Sequence, residues 1–217
     1  MATILVIATP SDVATTYGYH WLKRFSRYAA SRGHFIIFQK TPSLKTLYKA
    51  ITTYNPRLVV ANGHGGFKSL STNDNVIIGI RTFDSAIGRK IIGQNPEWFR
   101  SRLVLLLTCN AGRELAPKLV DYGATAVLGF KEPFIFLSEE RSSPERDKLA
   151  EPYFISLLQS AMQLVNGKTF GEACDATRKA FAYYRDLAEQ RGDENSAKYL
   201  NWDLINIVCV GDSWSRL

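Results

Sequence analysis

The chain has 217 residues, 46% hydrophobic and 22% charged, an ordinary globular composition with enough length to bury one sizeable core. No run of about 18 apolar residues occurs, so neither a membrane-crossing helix nor a membrane partner is expected. The formal charge of +7 is uneven, with 16 Lys and Arg against 6 Asp and Glu in residues 1–130, and 11 against 14 in residues 131–217.

In chain order, Thr3–Ala8 (TILVIA) reads as a core strand, not a signal peptide, because no basic segment precedes it. Tyr17–Ser31 is amphipathic, with Trp21, Leu22, Phe25, Tyr28 and Ala29 near helical spacing and Gly33 as a stop. His34–Phe38 is a second strand. Ser43–Tyr54 is a serine-capped helix and Leu58–Ala61 a third strand. Gly65–Phe99 breaks the alternation and contains NVIIGI, which predicts a small hairpin. Leu103–Thr108 is the fourth and most apolar strand. Arg113–Gly123 is a short helix with Pro117 as an irregularity, and Ala124–Phe130 a fifth strand. Lys131–Glu145 is polar and predicts an exposed, mobile loop. Helices over Arg146–Val165 and Thr169–Gln190 follow, and Leu204–Val210 is the last strand.

Near-continuous apolar strands alternating with helices predict an α/β fold, a three-layer α/β/α sandwich with a mostly parallel sheet, in one domain over residues 1–217. The Lys and Arg residues of the basic part are scattered singly, without a basic run or a base-stacking motif. They read as a solvated surface more than as a nucleic-acid site. Cys109, Cys174 and Cys209 show no CxxC spacing. Neither a disulfide framework nor a zinc site is indicated, no metal or cofactor is expected, and a reducing cytoplasm is the expected setting. Cys174 and Cys209 read as small apolar residues of a helix and a strand.

In an open α/β sheet, function collects at the carboxyl ends of the strands. The third strand runs LVVANGHGG and offers His64; the fourth runs LVLLLTCNAG and offers Cys109. If these strands are neighbours, both residues emerge at one edge of the sheet. A thiol is a strong nucleophile once ionised, and an imidazole beside it can lower its pKa or act as proton donor. Gly63, Gly65 and Gly66 leave room for a substrate, and the amides of Gly65 and Cys109 are the candidates to hold a developing oxyanion. Asp12 lies in the loop after the first strand, at the same sheet edge. It is a candidate to orient His64 or to line a specificity pocket, with a helix cap as the simpler role.

The order hydrophobic block, His-Gly, spacer, hydrophobic block, Cys resembles the caspase–gingipain clan (clan CD) of cysteine peptidases. GATAVLGF, TFGEACDATRKAF and IVCVGDSWSRL are similar to later segments of gingipain-type and CHAT domains, with Ser213 where the closing turn usually has proline. The resemblance implies a caspase-like six-stranded sheet of order 2-1-3-4-5-6 with the last strand antiparallel. It also implies a His64–Cys109 catalytic dyad, with Gly65 contributing to an oxyanion site. Relatives that cleave after basic residues carry an acid two positions before the nucleophile, where this chain has Leu107. Asp84 and Glu97 fall in the insertion and are not placed by sequence. The loop Glu139–Lys148, with Arg141, Arg146 and Lys148, is a candidate for self-cleavage. The function expected is therefore a cysteine endopeptidase acting on a peptide or protein substrate, with an activating or scaffold protein as a further partner. The alternatives are a catalytically inactive interaction or assembly module of the same fold, and a basic nucleic-acid-associated α/β domain.

Overall fold

The computed structural model describes residues 1–72, 75–80, 95–139 and 143–217. Its central sheet is formed by β1 (Thr3–Ala8), β2 (Phe35–Lys40), β3 (Leu58–Ala61), β7 (Leu103–Leu106), β8 (Ala126–Phe130) and β9 (Ile207–Gly211), in the order β2-β1-β3-β7-β8-β9. Every pairing is parallel except that of β8 with β9, so order and direction are those the resemblance implies. The short strands β4 (His64–Gly65), β5 (Ser69–Thr72) and β6 (Asn75–Gly79) form a separate antiparallel sheet. The expected hairpin is its β5–β6 part, and His64 belongs to a strand where a free loop was expected.

Side chains alternate across a strand, so each central strand feeds two cores. Ile4, Val6 and Ala8 of β1 join a cluster with α1 (Val13–Ser31), α4 (Glu151–Val165) and α5 (Phe170–Gln190). Leu5 and Ile7 face the opposite cluster with α2 (Leu44–Tyr54) and α3 (Leu115–Asp121). Strands buried on both faces explain the unbroken apolar runs. Among the described residues, no helix is long and apolar enough to cross a membrane.

The boundaries move where caps decide them. The first helix starts at Val13, four residues before the predicted Tyr17, because Asp12 and Thr15 form a reciprocal capping box. The fourth begins at Glu151, after a 3₁₀ turn over Pro144–Arg146. The last strand begins at Ile207 and not at Leu204, since Leu204–Asn206 close a helix, α6 (Glu194–Asn206), absent from the sequence reading.

Two expectations are corrected. Residues 132–138 are not an exposed loop: Phe134, Phe136 and Leu137 pack on the core cluster, and the Phe134 and Phe136 rings lie 6.1 Å apart beside Phe154. Cys174 of α5 and Cys209 of β9 are joined in a disulfide, with Cα atoms 6.6 Å apart, leaving Cys109 as the free thiol. Elements 35 residues apart in sequence approach through the fold, which no cysteine spacing foretells. Asp84 and Arg141 lie outside the described residues.

Candidate active site

The site is built where β3 and β7 end. Ala61 is paired with Leu106, so His64 and Cys109 both lie three residues beyond level strand ends. The two segments are then stitched together. Leu107 N–H donates to Ala61 O at 2.8 Å, Asn62 Nδ2 donates to Leu107 O at 3.2 Å, and the Thr108 hydroxyl donates to Gly63 O at 2.7 Å. His64 and Cys109 thereby line one cavity of about 120 Å³.

Glycine is required here by contact. A Cβ on Gly65 would lie 1.8 Å from Cys109 O and 2.5 Å from Thr108 Oγ1, closer than any side chain tolerates. One on Gly18, in α1, would lie 2.4 Å from Asn62 Nδ2. The turn after the cysteine is tight: Asn110 has φ +60°, a left-handed conformation that Asn accepts more readily than most residues, and Ala111 N–H returns to Cys109 O at 2.7 Å.

Among the described residues, neither amide expected to hold an oxyanion donates to a backbone or side-chain oxygen, and the Cys109 N–H turns to its own sulfur. Gly66 and Ser69 exchange both backbone hydrogen bonds. The adjacent pair, Gly65 with Leu70, is then the non-hydrogen-bonded kind, and the Gly65 N–H points away from β5. The Cys109 N–H has no backbone or side-chain oxygen acceptor among the described residues.

His64 is about half exposed, and its Nε2 is held by Ser11 Oγ at 3.0 Å and Asp12 Oδ2 at 3.5 Å. Its Nδ1 has no protein partner among the described residues. Asp12 caps the helix and faces His64, and it is not among the residues lining the cavity. Oδ1 caps α1 through the Thr15 amide at 2.8 Å and hydroxyl at 2.6 Å, while Oδ2 faces the imidazole. Burial pushes the Asp12 carboxyl up, but the Thr15 bonds and the His64 charge outweigh it and leave the pKa below the ordinary value. The Cys109 thiol is shifted the other way. Burial raises it, and the Phe134 amide turned toward the sulfur offsets only part of that effect.

Sequence reading did not find the wall of the cavity. Pro133–Phe136 is held from α6 by two bonds: Trp202 Nε1 donates to Pro133 O at 2.9 Å, and Ile135 N–H donates to Asp203 Oδ1 at 3.0 Å. Asp203 is wholly buried, its Oδ2 has no partner, and burial drives its pKa well above the carboxylate range. The cap signal Asp193-Glu194 and the spacing Ala197, Leu200, Leu204 mark α6, but Leu204 and Ile205 merge into the apolar run of β9. Glu97 lies apart from the site, in a 3₁₀ turn beside α2. Of the candidate self-cleavage loop, Arg146 ends a 3₁₀ turn and Lys148 pairs with Glu151 at 2.8 Å.

No family model matches the chain, and no curated protein does. Among solved structures, the chain is similar to a secreted C11 cysteine protease from Bacteroides thetaiotaomicron in complex with an irreversible peptide inhibitor. The identity is 13% and the TM-score 0.38, over 60% of this chain and 49% of that one, so the match spans about half of that protease chain.

Proposed function

We propose that the chain is a cysteine peptidase in which Cys109 is the nucleophile and His64 moves the proton. One observation carries this reading: level strand ends bring a free thiol and an imidazole to one cavity, with the Gly65 and Cys109 amides beside them.

The raised thiol pKa sets the order of events. Cys109 enters the reaction as a thiol, so attack on the scissile carbonyl is accompanied by proton transfer to His64, with Nδ1 as the available nitrogen. The Sγ–C bond forms, and the carbonyl oxygen gains the negative charge and accepts from the Gly65 and Cys109 amides. The imidazolium then returns the proton to the leaving nitrogen and the C–N bond breaks. The resulting thioester is cleaved by water, activated by the neutral imidazole. Asp12 and Ser11 hold Nε2 throughout, which orients the ring and stabilises its charged form.

Turnover of a mixed fluorogenic peptide library tests the proposal. Cys109→Ala should abolish it, and His64→Ala should reduce it about 10²–10⁴-fold, the usual worth of a positioned acid–base group. Folded wild-type protein that turns over no peptide would place the fold among non-catalytic assembly modules, and a Cys109→Ala protein that retains turnover would remove Cys109 as the nucleophile. The compartment belongs to the same question. A reducing cytoplasm would hold Cys174 and Cys209 as thiols, whereas an oxidising one would keep their bridge closed.

A further inference from the structure

Beside Cys109 the cavity is lined by the buried Leu107, Phe154 and Leu157 and the half-buried Phe134 and Phe136, with Ala14 of α1. At about 120 Å³ it is well below the roughly 300–1,000 Å³ of a whole-ligand pocket, a size suited to one side chain.

Most side-chain polar atoms around it are already engaged: Thr15 Oγ1 bonds Asp12, Thr108 Oγ1 bonds Gly63 O, and Asn62 Nδ2 bonds Leu107 O. Asn62 Oδ1, buried against Gly18, has no partner among the described residues. Asp203 lies beneath the Pro133–Phe136 wall with no exposed surface, outside the cavity lining. The titratable side chains His64 and Asp12 are each about half exposed and stand at the open side.

Resting on Cys109 as the nucleophile, we infer that this cavity receives the substrate side chain on the acyl side of the scissile bond and selects an uncharged apolar one. The direction follows from the proton donor. The leaving amine departs beside His64, on the open side, so the enclosed side holds the acyl residue. The selection follows from the lining. An apolar side chain is stabilised by leaving water for this lining. An ionised one finds no Asp, Glu, Lys or Arg in the lining to pair with, and its desolvation goes largely uncompensated. Leu107 lies on the strand end that leads into the nucleophile, so its replacement by an acid places a counter-charge in the lining.

The test is a panel of peptidyl acyloxymethyl ketones differing only in the residue next to the warhead: Leu, Phe, Ala, Arg and Asp. Each is incubated with the intact protein, and the rate of adduct formation on Cys109 is read by mass spectrometry. The Leu or Phe probe should label at least about 50-fold faster than Arg and Asp, and faster than Ala. In Leu107→Asp the Arg probe should gain at least about tenfold relative to Leu. An Arg or Asp probe as fast as Leu in the wild-type protein would overturn the apolar selection while leaving the nucleophile in place, and an Ala probe faster than both Leu and Phe would do the same. Wild-type protein labelled by none of the five would overturn the peptidase reading and this inference together. The wild-type panel decides the matter even if Leu107→Asp fails to fold.

Discussion

His64 Nε2 lies 3.5 Å from Asp12 Oδ2, while Oδ1 of the same carboxylate caps α1 through Thr15. One side chain thus serves the fold and faces the proposed acid–base group. The roles separate by substitution. Asp12→Asn keeps a capping acceptor and loses the charge; since the pair is solvent-exposed and such pairs are worth about 0.2–1 kcal/mol, kcat/KM should fall less than about tenfold and the urea midpoint should drop only slightly. Asp12→Ala should also lose about 0.5–2 kcal/mol of stability through the cap. The carboxyl titrates below its ordinary value, so its contribution is full above about pH 3.8 and disappears as pH falls through the folded value. Asp12→Asn should flatten that part of the acid unfolding curve; an unchanged curve would show that the cap does not depend on the charge.

Burial keeps Cys109 as a thiol, and this predicts a pH profile. In the absence of substrate, the rate of iodoacetamide alkylation at Cys109 should keep rising with pH beyond 9.0, the ordinary thiol value, because only the thiolate reacts. Intact-protein mass spectrometry with the bridge closed reads this one site. A rate that plateaus at neutral pH would mean a preformed thiolate–imidazolium pair and would remove the concerted proton transfer proposed for attack.

The strands Thr3–Ala8, Leu58–Ala61 and Leu103–Leu106 are legible in sequence because burial on both faces demands unbroken apolar runs. His64 and Cys109 stand out for the same reason, as the first reactive side chains past two such runs. The cavity wall is not legible. Phe134 and Phe136 lie in a four-residue apolar run, Phe134–Leu137, too short to mark an element, with no ladder and no helical period, and its place is set by Trp202 and Asp203, far along the chain. The Cys174–Cys209 bridge is hidden likewise, since it joins a helix to an edge strand.

Gly65 is predicted to tolerate no side chain. The Cβ of Gly65→Ala would lie 1.8 Å from a backbone oxygen, which has no rotamer to escape into, so the strand ends must separate. Overpacking of this kind costs about 1–3 kcal/mol, and displacement of the Gly65 amide should lower kcat by a further 10²–10³-fold, the usual worth of one oxyanion donor. Gly66→Ala meets only the Ser69 hydroxyl at 3.3 Å and should leave the thermal midpoint within about 2 °C of wild type. Equal destabilisation by the two substitutions would contradict the close approach at Cys109.

The Cys174–Cys209 bridge closes 35 residues of chain, and loop-closure entropy for that length amounts to about 3–4 kcal/mol. Reduction, or Cys174→Ala with Cys209→Ala, should therefore lower the urea midpoint, and native protein should show one reactive thiol in place of three. Three reactive thiols in oxidised, folded protein would mean that the bridge does not form.

Asp203 links the cavity wall to pH through burial. A carboxyl whose folded pKa is raised holds its proton longer in the folded chain than in the unfolded one. Its stabilisation is full below the unfolded value of about 3.8 and is lost as pH rises toward the folded value. Tyr153 and Cys109 are titratable groups near enough to feel its charge, Tyr153 donates instead to Ser196 O, and Oδ2 has no hydrogen-bond partner among the described residues. Asp203→Asn keeps an acceptor for the Ile135 amide without an ionisable group, so it should equal or exceed wild type in stability at pH 7, with the difference shrinking toward pH 4. Asp203→Ala leaves the Ile135 N–H unpaired and should cost about 1–3 kcal/mol, slackening the segment that carries Phe134 and Phe136. Chemical denaturation of the three proteins at pH 4, 5.5 and 7 measures both effects. A wild-type stability that rises with pH relative to Asp203→Asn would show Asp203 to be ionised in the fold, with a partner for Oδ2 that holds its charge.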